Sequence, residues 1–449
     1  MKQESHLQRK INLKKTDVGT IPEGWDVVRI NQIKSNKKYA IAMGPFGSNI
    51  TKDNFIPSGI PVIRGTNLED FKFKEEDFVY LSETKADELK ASNAFPKDIV
   101  ITHRGTLGQV GIIPENSNYS RYVVSQSQMK LSCDENIVNP YFVYYFLKSK
   151  RGQHLLLLNK SQTGVPAIAR PTTSLKGIKI PFPNFDEQNA IVDILRSLDD
   201  KIELNRRMNA TLEQIAQAIF KQWFIDFEFP DENGQPYKSS GGEMVESELG
   251  RIPRGWEVKE LKNFGNIICG KTPSKKIHDY YEDGTISFIK IPDMRNKIFP
   301  IDTEDKLSKK GAEAIYKKKV PANSVCVSCI ATVGLVCLTN EEAYTNQQIN
   351  SIIPVSSVSP YYLYFAMREL YEKLHLWASG GSATLNLNTK QFSGIKIVMP
   401  PADVMVKFDD QNDSIFKKIL CNSVESKVLS QTRDLLLPRL MSGKIRIPV

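Results

Sequence analysis

Apolar residues in two stretches of the chain recur at alternating steps of four and three. The first stretch contains Ile191, Leu195, Leu198, Ile202, Asn205, Asn209, Leu212, Ala216, Ile219 and Trp223. The second repeats the spacing at a constant offset through Phe408, Asn412, Ile415, Ile419, Asn422, Ser426, Leu429, Arg433, Leu436 and Leu440. Such spacing is typical of the seam between two packed helices. It therefore predicts two long helices, residues 186 to 223 and 403 to 440, that pair with each other.

One polar residue, Asn205 or Asn422, occupies the same place in each seam. A buried Asn costs stability and fixes helix register. The predicted seam contacts are Leu198, Ile202, Asn205, Leu212, Ile415, Ile419, Asn422 and Leu429. Each stripe could instead pack on its own neighbouring domain. A helix of about 54 Å, at 1.5 Å per residue, is long for that alternative.

The region before each predicted helix has a different pattern. Short apolar runs at 60–63, 98–102 and 286–291 are broken by Gly, Pro and Asn, which predicts strands. Asn139-Pro140 and Ser359-Pro360 each place a capping residue before a proline, which predicts the start of a helix. Both regions are therefore expected to be mixed α/β domains.

Landmarks of the first half of the chain recur in the second. Ile-Pro-Glu-Gly-Trp at 21–25 returns as Ile-Pro-Arg-Gly-Trp at 252–256, and Gly-Ile-Lys-Ile at 177–180 returns at 394–397. This repeat is far longer than the ~50 residues of solenoid units, so it indicates a duplicated pair of domains. The predicted α+β organisation is a mixed α/β domain at 1–183, a helix at 184–229, a linker at 230–246, a second mixed domain at 247–400 and a second helix at 401–449. The composition of 230–246 favours a flexible linker.

Composition narrows the class of protein. The chain has 449 residues, a net charge of +9 and a pI of about 9.0, which favours polyanionic partners without establishing one. No apolar run approaches the ~18 residues of a membrane span. The six cysteines are scattered, which suggests a reducing compartment. We expect a cytoplasmic protein with no membrane partner.

Two motifs suggest chemistry that their context does not favour. Residues 265–272 match the P-loop pattern, but Ile267 and Ile268 fill the loop and Pro273 follows it, so no nucleotide site is expected. Cys326 and Cys329 form a CxxC without the second pair that a zinc site needs.

His103 is a third candidate for chemistry. It stands without an obvious orienting partner, and its counterpart in the second half is Cys329. The two halves therefore share no catalytic group at this place. We predict no catalytic residue and no metal site in the chain.

Three phrases carry a resemblance to a known family. They are Pro181-Phe-Pro-Asn-Phe-Asp-Glu-Gln-Asn, Ile219-Phe-Lys-Gln-Trp-Phe and the ending Leu437-Pro-Arg-Leu-Met-Ser-Gly-Lys. With the two Ile-Pro-x-Gly-Trp phrases, they resemble the specificity subunit of type I restriction-modification systems across nearly all of the chain. The second copy departs from the pattern, because Pro401-Ala-Asp-Val lacks the Glu-Gln pair.

The resemblance implies a function and a set of partners. Each mixed domain would be a target-recognition domain for one half of a bipartite double-stranded DNA sequence. The helices would pair as an antiparallel coiled coil, relating the copies by a pseudo-twofold axis and spacing them. The chain itself would catalyse nothing and bind no cofactor. Two methylation subunits would bring S-adenosylmethionine and methylate adenine, and in full systems two restriction subunits would use ATP and Mg. The sequence leaves open whether restriction subunits exist.

Base recognition favours Arg, Lys, Asn, Gln, Ser and Thr on loops. Candidates in the first domain are Ser48, Arg64, Asn67, Arg104, Gln126, Gln128, Thr163 and Arg170. Candidates in the second are Lys271, Thr272, Lys275, Arg295, Ser328, Asn346, Gln347, Ser382 and Asn386. Gln126 and Gln347 recur at the same place, which a shared structural hydrogen bond explains equally well.

Two other classes stay open at this stage. A stand-alone methyltransferase or nuclease would transfer label from S-adenosylmethionine to DNA without partner subunits. A purely structural adaptor would show no salt-dependent retention on DNA.

Overall fold

A computed structural model describes residues 12–69, 71–161, 164–379 and 385–447. The chain forms two compact units, Met1–Lys201 with Leu429–Val449, and Ile202–Val428. Both units combine sheets with helices, so the predicted α+β class is confirmed. Each unit contains one mixed domain together with a segment of each long helix.

The first unit is built from short strands and helices. Its strands are Leu13–Thr16, Gly19–Pro22, Asp26–Arg29, Ile41–Met43, Ile60–Ile63, Leu68–Glu69, Lys72–Phe73, Val79–Leu81, Asn93–Ala94, Ile99–Thr102, Val110–Ile112, Tyr122–Val124, Gln128–Leu131 and Lys179–Phe182. Its shorter α-helices are Ile30–Ile33, Glu83–Glu88, Pro140–Lys148, Lys150–Leu157 and Pro171–Gly177. Its 3-10 turns are Gly47–Asn49, Lys52–Asn54, Gly65–Asn67 and Lys90–Ser92.

The second unit contains a similar series. Its strands are Met244–Ser247, Gly250–Pro253, Glu257–Glu260, Gly265–Cys269, Ile286–Ile289, Asp305–Leu307, Val325–Ser328, Val336–Leu338, Ala343–Thr345, Ile349–Pro354 and Lys396–Met399. Its shorter α-helices are Ile291–Met294, Lys309–Glu313, Pro360–Glu369, Tyr371–Ala378 and Thr389–Ser393. Its 3-10 turns are Leu261–Asn263, His278–Tyr280 and Tyr316–Lys318, and Lys221–Ile225 forms a π-helical turn.

The main antiparallel sheet has the same strand order in both units. In the first unit the order is Val110–Ile112, Ile99–Thr102, Gln128–Leu131 and Ile41–Met43. In the second it is Val336–Leu338, Val325–Ser328, Ile349–Pro354 and Gly265–Cys269. A second sheet is also shared, and in it Ile60–Ile63 pairs parallel with Tyr122–Val124 as Ile286–Ile289 does with Ala343–Thr345. The repeat seen in the sequence is thus a repeat of topology.

The helix that follows each main sheet starts where the sequence predicts. The side chain of Asn139 accepts a hydrogen bond from the backbone N–H of Tyr141 at 2.9 Å. Ser359 accepts in the same way from Tyr362 at 3.0 Å. Each helix then buries most of its side chains in the core of its unit.

The long helices are Phe185–Phe220 and Ala402–Met441. Asn184 caps the first, because its side chain accepts from the N–H of Glu187 at 2.8 Å. Within the first unit, the Asp199 carboxylate lies 2.8 Å from the Arg433 guanidinium. Partner numbers fall as residue numbers rise, as in the contact of Glu187 with Arg446. The segments therefore run antiparallel, as the resemblance implies.

In the second unit the same pairing buries a group of amides. Asn205 and Asn422 are fully buried. Asn205 Nδ2 donates to Glu425 Oε2 at 2.8 Å, and Asn422 Nδ2 donates to Asn209 Oδ1 at 2.9 Å. Asn205 Nδ2 also donates to the backbone oxygen of Asn422 at 3.4 Å, so the side chain of Asn205 contacts the backbone of its counterpart. Among the other predicted seam residues, Ile419 is buried, whereas Leu198, Ile202, Leu212, Ile415 and Leu429 are half-buried.

Residues 230–246, which their composition predicts to be a linker, make contacts with one another and with Phe229. The ring of Tyr237 stacks on the ring of Phe229 with centroids 4.6 Å apart. The backbone N–H of Tyr237 donates to the backbone oxygen of Phe229 at 2.9 Å. Asp231 accepts from the N–H groups of Asn233 and Gln235, each at 2.8 Å. Polar and Gly-rich composition suggested mobility, but two aromatic residues fold this segment back on itself.

Candidate nucleic-acid interface

Four loops meet at one end of the main sheet in the first unit. These edge loops of the first unit are residues 44–49, 103–107, 125–128 and 164–170. The N–H of Gly44 donates to the backbone oxygen of Gln128 at 2.8 Å, and that of His103 donates to Ser127 at 2.9 Å. Gly105 donates to Pro166 at 2.8 Å. Backbone hydrogen bonds therefore hold the four loops together.

The second unit repeats this framework bond for bond. Its edge loops are residues 270–275, 329–333, 345–348 and 385–387. Gly270 donates to Ile349 at 3.0 Å, Cys329 to Gln348 at 2.8 Å and Ala331 to Leu385 at 2.9 Å. The repeated landmarks of the sequence thus encode one loop framework, used twice.

One glycine in each framework is required by close packing. A Cβ atom on Gly44 would lie 1.9 Å from the backbone oxygen of Ser125. A Cβ atom on Gly270 would lie 2.2 Å from the backbone oxygen of Asn346. Neither distance leaves room for a side chain. Each loop therefore begins at a glycine that is packed tightly against the neighbouring loop.

The edge loops differ from the rest of the chain in charge. Neither set contains an Asp or a Glu, although the whole chain has 51 of them. The first set carries exposed Arg104 and Arg170, and the second carries exposed Lys271 and Lys275. Loops that contain no carboxylates and present cations suit a polyanion.

The structure brings many predicted site residues into these loops. Eight of them are exposed residues of the edge loops, namely Ser48, Arg104, Gln126, Arg170, Lys271, Lys275, Gln347 and Asn386. Thr272 is half-buried, and its hydroxyl donates to Gln347 Oε1 at 2.6 Å. Lys275 lies 3.2 Å from the carboxylate of Asp305. Arg295 is exposed but lies outside the edge loops, at the end of the helix Ile291–Met294.

Four other predicted site residues have side chains that face inward. Asn67, Gln128, Ser328 and Asn346 are buried. Asn67 donates to the backbone oxygens of Lys74 and Glu76 at 3.1 and 2.9 Å. Ser328 accepts from the N–H of Leu335 at 2.9 Å.

Gln128 and Asn346 are likewise held by internal hydrogen bonds, to Thr102 and Gln348 respectively. Arg64 is half-buried and donates to the backbone oxygen of Asp77 at 2.7 Å. The remaining candidates, Thr163 and Ser382, lie outside the described residues.

The motifs that suggested catalysis have structural explanations. Residues Gly265–Cys269 form a strand paired with Ile349–Pro354 rather than a phosphate loop. Burial lowers the pKa of His103, which favours the neutral imidazole. Within the described ranges, no group of three or more His, Cys, Asp or Glu side chains could hold a metal ion. No helix of the described residues is long and apolar enough to cross a membrane.

Comparison with known proteins decides the family. The family model for the type I restriction modification DNA specificity domain matches residues 22–214 and 253–425. The chain belongs to this family. The two matched stretches are the two copies of the repeat, so the predicted resemblance is confirmed and the chain is a specificity subunit rather than a catalytic chain.

Individual relatives agree. The specificity subunit is 41% identical over 382 residues to the HindI specificity subunit of Haemophilus influenzae, covering 74% of this chain and 83% of the relative. It is 27% identical to the MjaIX specificity subunit of Methanocaldococcus jannaschii, covering 97% and 96% of the two chains. The crystal structure of an S subunit from M. genitalium shares the fold, with a TM-score of 0.57, 16% identity and 97% of each chain covered.

The signature phrases of the specificity subunit make tertiary contacts that the sequence did not predict. Glu187 of the Glu-Gln pair is buried and accepts from the indole N–H of Trp25 at 2.9 Å. It also accepts two hydrogen bonds from Arg446. Gln188 accepts from the N–H of Asn139 at 2.9 Å. The signature therefore ties the opening phrase, the helix start and the end of the chain together, and it is structural.

Proposed function

We propose that each set of edge loops contacts one half of a bipartite double-stranded DNA target. The observation that carries this proposal is a shared backbone framework with different exposed side chains. Gly44 and Gly270 start equivalent loops, yet the first continues with Pro45-Phe46 and the second with Lys271-Thr272. A constant framework with variable side chains is what two half-sites of different sequence require.

The absence of carboxylates supports the same proposal. DNA binding draws much of its free energy from cations that neutralise phosphates. Arg104, Arg170 and Lys271 are exposed, and we expect them to make such contacts or to donate to base edges. An acidic residue among them would repel the backbone of the DNA.

The paired helices complete the proposal. They would set the spacing between the half-sites and bind two methylation subunits, which carry S-adenosylmethionine and methylate adenine. Restriction subunits that use ATP and Mg would join in a full system. Continuous helices of 36 and 40 residues support a spacing role, and the duplicated fold offers two similar docking faces.

An exchange of one domain tests whether the half-sites are recognised separately. Residues 17–183 are replaced with the corresponding segment of a relative that has a different target, and the protein is produced with its methylation subunits. Methylome sequencing should show one half-site changed and the other retained. The matched control replaces residues 247–400 instead and should change the opposite half-site. A change of both half-sites by either exchange would contradict the proposal.

A further inference from the structure

Phe46 is the most exposed large apolar residue recorded in either set of edge loops. Its side chain is 72% exposed, and it stands within the edge loop 44–49 of the first unit. A phenyl ring left in water forgoes the free energy of burial. Single exposed apolar residues are common, so the argument depends on how this one is held.

The backbone around Phe46 is fixed on both sides. Gly44 is packed against Ser125 with no room for a Cβ atom, and its N–H donates to Gln128 at 2.8 Å. Pro45 is buried. After the ring, the N–H of Asn49 donates to the backbone oxygen of Phe46 at 2.8 Å. The chain thus presents this ring outward on a short, hydrogen-bonded turn.

The residues around the Phe46 ring indicate which class of partner the ring contacts. The loop 44–49 bonds to loop 125–128, which bonds to loop 103–107, where Arg104 is exposed. All four loops lack Asp and Glu. An apolar ring among loops that contain no carboxylates and present cations fits the grooves of DNA, where Phe contacts thymine methyl groups or lies against base steps.

We propose that Phe46 lies against the base pairs of the first half-site and supplies an apolar contact to them. The inference rests on the proposed function of the edge loops. It applies to one half-site alone, because the corresponding position of the second unit is Thr272, whose hydroxyl is bonded to Gln347. The two half-sites are therefore recognised with different chemistry at equivalent places in one framework.

Binding of the complex with its methylation subunits to its methylome-defined duplex tests the inference. Phe46→Ala should weaken binding about 10-fold, because it removes the apolar area that the ring buries against the duplex, and Phe46→Leu should recover part of the loss. The slope of log affinity against log salt should stay unchanged, since a phenyl ring neutralises no phosphate. Arg104→Ala should reduce that slope by about one. The matched control is Ile137→Ala, an exposed apolar residue outside the edge loops.

The outcomes separate this inference from the proposed function. If Phe46→Ala binds within about twofold of the unaltered complex while Arg104→Ala is weakened, the apolar contact is refuted and the DNA surface stands. If neither variant is weakened, both are refuted. If Phe46→Ala instead prevents assembly with the methylation subunits, the ring belongs to a protein interface and the inference fails.

Discussion

The two units solve the same packing problem with opposite chemistry. Where the long helices pack in the first unit, Asp199 accepts from Arg433 at 2.8 Å and from the hydroxyl of Tyr145 at 2.7 Å. The side chains of Arg433 and Asp199 are only 9% and 14% exposed. We call this set of three residues the charged junction.

The corresponding positions of the second unit are apolar. Arg433 is matched by Ala216, Asp199 by Phe416 and Tyr145 by Phe365. The two phenyl rings lie 5.9 Å apart within the buried core. We call this set the apolar junction.

A second set of three positions shows the same contrast. In the first unit Glu187 binds Trp25 and Arg446. The second unit has Val404, Trp256 and Phe229 in these places, and the last two rings are 4.9 Å apart. This explains why the Glu-Gln signature is missing from the second copy: its role there is filled by apolar packing.

The contrast indicates that the fold requires well-packed side chains at these buried positions but does not require charged ones. A buried ion pair gains little over well-packed apolar groups, because desolvation offsets the Coulomb attraction. Because the ion pair is present in the first unit and replaced by apolar residues in the second, it can distinguish correct from incorrect packing of the helix segments. A helix segment placed against the wrong unit would bury Asp199 or Arg433 without a partner. We infer that the difference directs each segment to its own unit.

The largest effect is expected from breaking the charged junction. Arg433→Ala should cost about 3–5 kcal/mol of unfolding free energy, because it leaves the buried Asp199 carboxylate without its cation. Converting the whole junction, with Tyr145→Phe and Asp199→Phe added, should recover most of the loss. Urea unfolding followed by Trp fluorescence measures both. If the triple variant is no more stable than Arg433→Ala, the junctions are not interchangeable.

An ion pair that is more exposed than the charged junction serves as the control for that experiment. Glu203 and Arg206 lie 2.8 Å apart on the first long helix, with side chains 31% and 49% exposed. Glu203→Ala should cost less than about 1 kcal/mol, because water screens such pairs. A loss as large as that of Arg433→Ala would show that charge alone, and not its burial, sets the effect.

A smaller effect is expected at Glu187. Glu187→Val should cost about 1–3 kcal/mol, because the buried indole N–H of Trp25 loses its acceptor. Arg446 is 39% exposed and can turn to water. Adding Arg446→Phe imitates the second unit and should recover part of the loss. A double-mutant cycle from urea unfolding gives the coupling, and a value within about 0.3 kcal/mol of zero would contradict the contact.

How far the sequence predicted these features depends on their range along the chain. The long helices, the sheet strands and the capped helices follow from local periodicity and turn residues, and the structure has them. The contact of Glu187 with Arg446 joins residues 259 positions apart, and no local pattern encodes it. The inward orientation of Asn67 and Ser328 could not be predicted for a related reason. Polar residues near strand ends face either water or the core, and only the tertiary fold determines which.

The smallest effect is expected at a position where the second unit has the ionisable residue and the first unit has the apolar one. Asp409 of the second unit accepts from the hydroxyl of Ser359, whereas the corresponding Val192 of the first unit is buried and apolar. Burial raises the pKa of Asp409 to about 6, above its ordinary value of 3.8. The folded state therefore binds a proton more tightly than the unfolded state, and this group's stabilisation is lost as pH rises from about 4 through 6.

Asp409→Asn should remove that pH dependence, because the amide keeps an acceptor for Ser359 and carries no charge. Its melting temperature should match the unaltered protein near pH 4 and exceed it by about 1–3 °C above pH 7. Asp410→Asn, at the exposed neighbouring position, is the comparison variant. It removes a repulsion that helps to raise the pKa of Asp409, so it should move the pH-dependent transition to lower pH without abolishing it. Thermal melts from pH 4 to 8 decide the matter. A variant less stable than the unaltered protein at pH 8 would mean that the ionised carboxylate is needed to hold Ser359, which caps the helix Pro360–Glu369. The second unit would then depend on charge here as the first does at Asp199.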